Sequence, residues 1–383
     1  MKTFDVIVVG TGTMGMAACM YLAKSGVNVL GIDQFLPPHD LGSHSGATRI
    51  IRKSYFEHPD YVPLLEESYK LWNSLENESG NKIYHETGLV YYGLESGHVY
   101  QGVKESSRLY KIPVNELDIE EGQQILPLFT LGPSWSVLYE PHAGLLDVET
   151  AIHSFQKIGS EYQCRFIQEK VIHIEYQNQE VKVKTDHDEY TANKIICCAG
   201  SWTHQLLSKN PLPLSVTRQM IAWVKVKDPS DYENMPCWFI QDPGIGMLYG
   251  FPYWEKKKGI KVALHVPGEH TDPNHVKRNK ITNDIEIVQY FITNYLPREA
   301  DAEIEFQTCL YTNTPDEHFI IDAIPDTNQQ ILIACGFSGH GFKFAPVIGK
   351  IMSDMAIHQK SDLNTNFLSL QRFDKSWNIK ANL

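Results

Sequence analysis

The feature that most constrains this fold is the glycine-rich stretch at residues 10–15, Gly-Thr-Gly-Thr-Met-Gly, near the start of the chain. It follows the apolar, β-branched run of residues 4–9, which predicts a buried strand. Residues 14–25 carry apolar side chains at helical spacing, and Gly26 is a natural stop for that helix. Residues 27–33 predict a second strand, so the whole segment indicates a βαβ unit with parallel strands.

Within this unit the glycines stand where a dinucleotide site needs them. Gly10 permits the tight turn after the strand, Gly12 lets a pyrophosphate approach the backbone, and Gly15 allows the helix to pack closely on the strand. The helix N-terminus, which includes Met14, favours negative charge. Asp33 ends the second strand, where a carboxylate can bind an adenosine ribose hydroxyl. We therefore predict a dinucleotide site; the alternative is a plain glycine-rich turn in an α/β domain.

A second glycine-rich stretch, residues 336–341, follows a buried strand predicted for residues 331–335. Another buried strand, residues 194–198, precedes Gly200. The first glycine motif alone does not separate NAD from FAD. A glycine-rich backbone that returns late to the nucleotide site suits an extended cofactor, because the isoalloxazine of FAD lies far from its adenine. The order of the motifs therefore favours FAD.

Strands typical of a nucleotide-binding sheet thus occur near the start, the middle and the end of the chain, so the residues between them are expected to form an insertion. The predicted fold class is α/β: a Rossmann-like FAD-binding domain with an inserted mixed α+β substrate domain dominated by a β-sheet. We assign residues 1–87, 143–212 and 320–383 to the FAD-binding domain. Residues 88–142 and 213–319 are assigned to the substrate domain.

Composition and charge exclude several classes of protein. The chain has 383 residues, of which 42% are hydrophobic and 21% charged, as is typical of a soluble globular protein of about two domains. Its 34 basic and 46 acidic residues give a net charge of −12. Such a charge disfavours nucleic acid or an anionic membrane surface as a partner, and it leaves room for a local basic pocket that holds a small anion.

The cysteines and the N-terminal segment bear on the compartment. Seven cysteines without a CxxC pair argue against a disulfide framework or a structural zinc site, and no metal is expected. They favour a reducing compartment. Asp5 and Lys24 interrupt the first apolar run too early for a secretory segment or a membrane span, so a cytoplasmic location is expected.

Four blocks of the sequence resemble the family of monomeric sarcosine oxidase and N-methyltryptophan oxidase. They are residues 42–52, 309–311, 316–322 and 336–344, and the resemblance extends in order over essentially the whole chain. Members of this family are flavoenzymes that oxidise the N-methyl group or the ring C–N bond of secondary amino acids. The resemblance implies an FAD-dependent oxidase that forms an imine, which water hydrolyses, while O2 is reduced to H2O2. It also implies a monomer.

The thiol of Cys309 allows three interpretations. A lone cysteine is most often a packed core residue, and a nucleophile that attacks the substrate is another reading. In the family, a cysteine at this place is bonded through its sulfur to the flavin ring, a role that suits a soft thiolate. The resemblance therefore implies that FAD is attached covalently through Cys309. The chain departs from the family pattern at Ser45 and Ala47, where members carry a histidine and an aspartate.

The resemblance also implies which residues hold the substrate. Arg52 and Lys343 match a clamp for its carboxylate, in which the guanidinium supplies a planar fork and the ammonium a point charge. Lys343 is expected to contact the cofactor as well. His340 and Tyr249 match residues of the substrate cavity. The alternative for the two cations is a solvated surface position, and for the two aromatic residues ordinary packing.

Four residues are expected to act in catalysis. Lys261 matches a lysine held over the flavin, where a cation stabilises the negative charge that oxygen gains on reduction. His265 matches a histidine near the substrate amine, and in a strand residues four apart face the same side, so both would reach one cavity. Arg49 and Tyr311 complete the set. The alternative for the first two is a solvated face, because residues 255–258 form a charge run just before them.

Six more residues are expected to contact the cofactor: Ser43, His44, Thr48, Gly200, Gly339 and Gly341. Two other functions stay open at this point. One is a related flavin enzyme, either a dehydrogenase that passes its electrons elsewhere or an oxidase of D-amino acids or glycine. The other is a protein that binds a dinucleotide without catalysis.

Overall fold

The computed structural model describes residues 2–132, 134–177, 180–209, 211–255 and 258–373. Residues 374–383, the end of the predicted FAD-binding segment, lie outside these ranges. In the described residues, nineteen strands form three sheets and eight α-helices pack around them. The predicted α/β fold class is therefore confirmed.

The strands in chain order are β1 (Lys2–Val9), β2 (Val29–Asp33), β3 (Thr48–Ile51), β4 (Tyr84–His85), β5 (Leu89–Gly93), β6 (Asn115–Leu117), β7 (Ser136–Glu140), β8 (Gly144–Asp147), β9 (Arg165–Gln168), β10 (Val171–Gln177), β11 (Glu180–Thr185), β12 (Glu189–Cys197), β13 (Ser215–Val224), β14 (Cys237–Asp242), β15 (Gly246–Gly250), β16 (Ile260–Leu264), β17 (Ile304–Asn313), β18 (Ile320–Ala323) and β19 (Ile331–Cys335). The helices are α1 (Thr13–Lys24), α2 (Val62–Ser79), α3 (His98–Tyr110), α4 (Ile119–Ile125), α5 (Val148–Glu161), α6 (Thr203–Leu206), α7 (Thr282–Tyr295) and α8 (Ala345–His358).

The first sheet has eight strands and contains the βαβ unit that the glycine-rich stretch predicted. β1 pairs in parallel with β2 on one side and with β12 on the other, and β12 pairs in parallel with β19. β9 extends the sheet beyond β2, the hairpin of β10 and β11 lies beside β12, and β18 pairs with β19. Because the central strands are parallel, their carboxyl ends meet at one edge of the sheet, which is where such folds bind ligands.

Both faces of this sheet are covered, which explains why its strands are apolar throughout. On one face α1 packs against α5 and α8, and Val8 lies in that core with the fully buried Trp72. Ile7 and Val9 point to the other face, into a core that also contains Ile195. The edge that carries the loops is thus held by two separate cores.

The second sheet also has eight strands, in the order β17-β13-β16-β15-β14-β5-β7-β6, and only β14 and β5 pair in parallel. β13 pairs with β17 along its whole length, which places Gln219 opposite Cys309. On the next strand, Lys261 lies opposite Trp223. One face packs on α7, and the other packs on the small third sheet of β3, β8 and β4.

The predicted elements are confirmed with small shifts at their ends. The strand predicted around Lys261 ends at Leu264, so His265 lies one residue beyond it. The strands of the first sheet come from the start, the middle and the end of the chain, and those of the second sheet from the residues between. The domain boundaries themselves stay a prediction. In the ranges that the structure describes, every helix is too short or too polar to cross a membrane.

Candidate functional site

The glycine-rich turn between β1 and α1 has the geometry that its sequence predicted. Gly10 has a φ of +87°, and a Cβ there would lie 2.6 Å from the Cys198 carbonyl oxygen. A Cβ on Gly15 would lie 1.8 Å from the Gly10 carbonyl oxygen, so only glycine lets α1 pack this closely on the strand. No described side chain caps the N-terminus of α1 at Gly12. Its first backbone N–H groups therefore remain available to an anion.

A cavity of about 210 Å³ runs from this turn to the second sheet. Its wall near the first sheet contains the predicted residues Gly10, Gly12, Met14, Asp33 and Gly200. Towards the second sheet the wall contains Ser43, His44, Arg49, Tyr249, Cys309, Tyr311, Gly339 and Gly341. Predicted residues from distant parts of the chain thus meet around one elongated space.

Asp33 lies in this wall at the end of β2. Its carboxylate accepts a hydrogen bond from the backbone N–H of Thr11 at 2.7 Å and from that of Phe35 at 3.1 Å. Burial raises the pKa of Asp33 to about 6, against the lowering effect of these hydrogen bonds. A carboxylate has about four acceptor positions, so it can still accept from a ribose hydroxyl. The cavity, the uncapped helix and this carboxylate together fit an adenine dinucleotide.

Cys309 lies at the other end of the cavity and is 2% exposed. Its Sγ is 3.5 Å from the Ser43 carbonyl oxygen and 4.0 Å from Arg49 Nη2. Burial raises the pKa of the thiol, while the charge of Arg49 acts in the opposite direction. The effect of burial is the larger, so the pKa lies above that of a free thiol, and the neighbouring guanidinium is the largest of the influences that favour a thiolate.

Arg49 is fixed by the loop between β2 and β3. It donates to the carbonyl oxygens of Ser43 (2.9 Å), Ser45 (2.6 Å) and Gly46 (3.0 Å) in this loop, and to that of Thr48 (2.8 Å) at the start of β3. The Ser45 hydroxyl in turn donates to the Thr308 carbonyl oxygen at 3.2 Å and accepts from Gln307 Nε2 at 2.7 Å. The serine that departs from the family pattern thus ties this loop to β17, next to Cys309.

Lys261 lies next to the loop that holds Arg49. It lines neither the large cavity nor a second, smaller cavity beside it. Its Nζ donates to the Thr48 carbonyl oxygen at 2.8 Å and to the Thr48 hydroxyl at 3.2 Å. Burial and, to a smaller extent, the charge of Arg49 lower its pKa to about 7. His265 lies one residue beyond the end of β16, where its backbone N–H still donates to the Met247 carbonyl oxygen of β15 at 2.7 Å, and it lines the second cavity.

This second cavity, of about 50 Å³, adjoins the first and shares Arg49, Tyr249 and Gly339 with it. Of the other predicted residues, its wall contains Arg52, His265, His340 and Lys343. Aromatic and aliphatic side chains complete the wall, among them Phe56, Phe239 and Met247. Of the predicted site residues, Gly15, Thr48 and Lys261 line neither space.

Arg52 is 1% exposed and is already engaged by a neighbour that the sequence did not indicate. Its Nη2 donates to both carboxylate oxygens of Glu57, at 2.5 and 2.7 Å, and its Nη1 donates to the Ser54 carbonyl oxygen at 2.9 Å. Its Nε is buried and has no partner among the described residues. The guanidinium also lies 4.4 Å from the ring centre of Tyr55 and 4.2 Å from that of Phe56.

Lys343 faces the same cavity, and its Nζ donates to the His340 carbonyl oxygen at 2.8 Å. Burial lowers its pKa to about 7, and the charge of Arg52 lowers it too. Burial also lowers the pKa of His265 to about 4 and that of His340 to about 3. At neutral pH both imidazoles are therefore uncharged, and the positive charge comes from Arg52 and Lys343.

Known proteins that are similar to this chain along almost its whole length include the following two. Monomeric sarcosine oxidase from Bacillus sp. (strain NS-129) is 35% identical over 379 residues, which are 96% of this chain and 97% of that protein. N-methyl-L-tryptophan oxidase from Yersinia pestis (strain Pestoides F) is 31% identical over 374 residues, covering 97% of this chain and 99% of that protein.

Solved structures share the fold at lower sequence identity. NikD, an unusual amino acid oxidase essential for nikkomycin biosynthesis, superposes with a TM-score of 0.85 at 22% identity, covering 96% of this chain and 98% of that one. L-proline dehydrogenase from P. horikoshii gives a TM-score of 0.84 at 21% identity, covering 98% and 99% of the two chains. The model of the family described as FAD dependent oxidoreductase (DAO) matches residues 5–355. Because that match spans most of the sequence, this chain belongs to the DAO family of FAD-dependent oxidoreductases.

Proposed function

We propose that this chain is an oxidase of small secondary amino acids, with sarcosine as the first substrate to test. The relatives named monomeric sarcosine oxidase and N-methyl-L-tryptophan oxidase support this substrate class. The observation that carries the proposal is the small cavity with Arg52 and Lys343, which adjoins the large cavity that reaches Cys309. In the overall reaction the CH–NH group becomes an imine, water hydrolyses the imine, and O2 is reduced to H2O2.

Bound FAD supplies the acceptor for the two electrons that leave the carbon next to nitrogen. The large cavity holds this cofactor. The uncapped N-terminus of α1 would hold its pyrophosphate, Asp33 would accept from a ribose hydroxyl, and the cavity-lining residues Ser43 and His44 would contact the flavin. The protein thereby fixes where the reacting carbon of the substrate must lie.

Arg52 and Lys343 bind the substrate carboxylate. The Nε of Arg52 has no described partner, and the described hydrogen bonds of Lys343 Nζ use one of its three protons, so both offer donors to a ligand. A carboxylate that takes Nε and Nη2 of Arg52 side by side must compete with Glu57 for Nη2. We therefore expect substrate binding to displace the Glu57 carboxylate from this position.

The amine end of the substrate meets uncharged groups. His265 is neutral at physiological pH, and its Nδ1 is 3.3 Å from the Tyr311 hydroxyl. Burial raises the pKa of Tyr249 and of Tyr311, so both phenols keep their protons. No strong base is needed if the substrate enters as its uncharged amine. His265, Tyr249 and Tyr311 then orient that amine, and His340 closes the carboxylate end.

Lys261 and Arg49 supply positive charge for the oxygen step. Oxygen gains negative charge as it is reduced, and a cation held in a water-poor site stabilises that charge. Both side chains donate to the carbonyl oxygen of Thr48, which holds the two cations close together. We assign Lys261 the larger role, because Arg49 already donates to four carbonyl oxygens, whereas the described hydrogen bonds of Lys261 Nζ leave one of its three protons available.

We also propose that FAD is attached through the sulfur of Cys309. Two observations support the attachment. The buried Sγ lies in the wall of the large cavity, and the Arg49 guanidinium beside it favours the thiolate. Hydrogen bonds of Ser45 with the Thr308 carbonyl oxygen and with Gln307 hold the loop in place beside this thiol. At the position of Ser45, members of the family that the sequence resembles carry a histidine.

The proposal also covers the domain division, the oligomeric state and the cellular location. We keep the division into an FAD-binding domain (1–87, 143–212, 320–383) and a substrate domain (88–142, 213–319), which the composition of the two large sheets supports. A monomer is proposed from the name of the relative from Bacillus. A cytoplasmic location is proposed because all seven cysteines are buried and unpaired, as in a reducing compartment.

A panel of amines with peroxide detection tests the function. We expect H2O2 release with sarcosine, and weaker release with N-methyl-L-tryptophan, L-proline, L-pipecolate, glycine and D-alanine. Faster turnover of glycine or D-alanine would instead indicate an oxidase of primary amines. Reduction of an artificial dye without peroxide would indicate a dehydrogenase. A protein that contains FAD and reacts with none of these amines would favour a non-catalytic dinucleotide-binding protein.

A further inference from the structure

We propose that Glu140 is a positioning residue, which fixes Arg52 in the orientation that binds the substrate carboxylate. The inference rests on the proposed function, because it concerns the site assigned there to that carboxylate. Glu140 is the last residue of β7, is 1% exposed, and lines neither cavity. It therefore acts on a ligand only through other residues.

Four donors hold the carboxylate of Glu140. One oxygen accepts from the backbone N–H of Lys53 at 2.6 Å. The other accepts from the backbone N–H of Ser54 at 3.2 Å, from the Ser54 hydroxyl, and from the Tyr91 hydroxyl at 3.3 Å. These donors hold the carboxylate inside the protein, and neither cavity reaches it, so it does not contact a ligand.

The two peptide N–H groups that Glu140 holds belong to the residues directly after Arg52. The carbonyl oxygen of one of them, Ser54, accepts from Arg52 Nη1 at 2.9 Å. Glu57 holds Nη2, but a substrate carboxylate is expected to replace it. When Glu57 has left, the Ser54 carbonyl is the remaining described hydrogen-bond anchor of the guanidinium, and Glu140 sets its position.

The surroundings of Glu140 explain why a charged residue stands there. It occupies the face of the second sheet that packs into an apolar core with Leu89, Leu138 and Phe239. A buried carboxylate in such a place is costly unless several donors satisfy it. A glutamine of the same size would turn an N–H donor towards a backbone N–H, so Glu140→Gln disrupts the turn while it preserves volume.

The competing explanation is a purely structural role, in which Glu140 only closes the corner between β7 and β3. The two explanations differ in which ligands are affected. Replacing a residue that acts through Arg52 weakens the binding of ligands with a carboxylate and leaves the binding of ligands without one unchanged. A residue that only stabilises the fold lowers the unfolding temperature and the flavin content, and it affects both kinds of ligand alike.

The experiment compares Glu140→Gln with Arg52→Gln, the double variant, and Glu299→Gln as a matched control. Glu299 is also fully buried, and it accepts from the Lys227 backbone N–H at 2.9 Å and the Tyr232 hydroxyl at 3.0 Å, away from Arg52. For each purified holoenzyme we would measure the dissociation constant of propionate from the change in flavin absorbance. The kcat and KM would be measured with sarcosine and with sarcosinamide, which lacks the carboxylate.

For Glu140→Gln we expect propionate binding and the KM for sarcosine to weaken about tenfold, the equivalent of about 1.4 kcal/mol. The kcat for sarcosine, and both constants for sarcosinamide, should stay close to those of the parent. Adding Glu140→Gln to Arg52→Gln should cause no further loss, and Glu299→Gln should leave all constants unchanged. If Glu140→Gln does not fold, Ser54→Ala removes one donor and should shift propionate binding in the same direction.

Equal losses with sarcosine and sarcosinamide, or additive losses in the double variant, would overturn the positioning role. A parent protein that oxidises no secondary amine, or an Arg52→Gln variant that binds propionate normally, would instead overturn the proposed function. The two failures are thus distinguishable. If Glu140→Gln binds propionate normally while Arg52→Gln binds it much more weakly, the positioning role of Glu140 is overturned and the proposed function stands.

Discussion

Replacing Glu57 by glutamine tests whether a ligand carboxylate takes the place of this side chain on Arg52. Burial alone would raise the pKa of Glu57, but the charges of Arg52, His340 and Lys343 outweigh it and lower the pKa from 4.5 to about 2. That difference corresponds to about 3 kcal/mol in favour of the charged form in the folded protein. Because the folded pKa is depressed, this stabilisation is present above pH 4.5 and is lost as the pH falls towards 2.

Glu57→Gln therefore has two opposite consequences at neutral pH. Arg52 stays charged but loses its buried counter-charge, so the free energy of unfolding should fall by about 3 kcal/mol. A bound carboxylate restores that counter-charge without first displacing Glu57. Propionate should consequently bind about tenfold more tightly to the variant than to the parent.

The assay is chemical unfolding of the holoenzyme with and without propionate, together with a flavin absorbance titration. Glu66→Gln, a change at an exposed position of α2, serves as the control and should alter neither quantity. The stability difference between parent and Glu57→Gln should also shrink as the pH is lowered from 4.5. Weaker propionate binding by Glu57→Gln would refute the reasoning, because the glutamate would then support the ligand and not compete with it.

Three further predictions concern other residues of the site. Burial lowers the pKa of Lys343 to about 7, so propionate affinity in the parent should fall by up to tenfold per pH unit above that value. Lys343→Met should remove this dependence, and a flat profile in the parent would contradict the role of the lysine. Lys261→Met should slow reoxidation of the reduced enzyme by O2 about tenfold or more while anaerobic reduction by sarcosine is preserved; an unchanged oxygen rate would favour a dehydrogenase. Acid precipitation should leave the yellow colour in the protein pellet of the parent and release it from Cys309→Ala; colour in the parent supernatant would refute covalent attachment.

The nucleotide-binding part of the fold could be predicted from local sequence patterns. The turn at residues 10–15 has a steric requirement that only glycine meets, as the contacts of Gly10 and Gly15 show. The strands on either side are continuous apolar runs because both faces of the sheet are covered. Such local requirements are visible in a single sequence, so the βαβ unit and the late strand at Ile331 were placed correctly.

The substrate side could be predicted only in part, because its contacts join residues that are distant in sequence or lie in irregular loops. Lys53 and Glu140 are 87 positions apart, and no motif connects them. Glu57 follows Arg52 in a loop, where no regular spacing predicts that the two side chains meet. Strand spacing relates Lys261 to His265 but does not determine which cavity each side chain reaches. His265 lines the second cavity, whereas Lys261 donates to Thr48 and lines neither cavity.

Anaerobic reduction of the holoenzyme by sarcosine, followed by the addition of O2, tests the central claim most directly. We predict that the visible flavin absorbance bleaches on mixing and returns on aeration, with one H2O2 formed for each sarcosine consumed. Arg52→Gln should bleach only at much higher sarcosine concentrations, because it lacks a carboxylate donor. A flavin that stays oxidised in the presence of sarcosine and every other secondary amino acid tested would contradict the account.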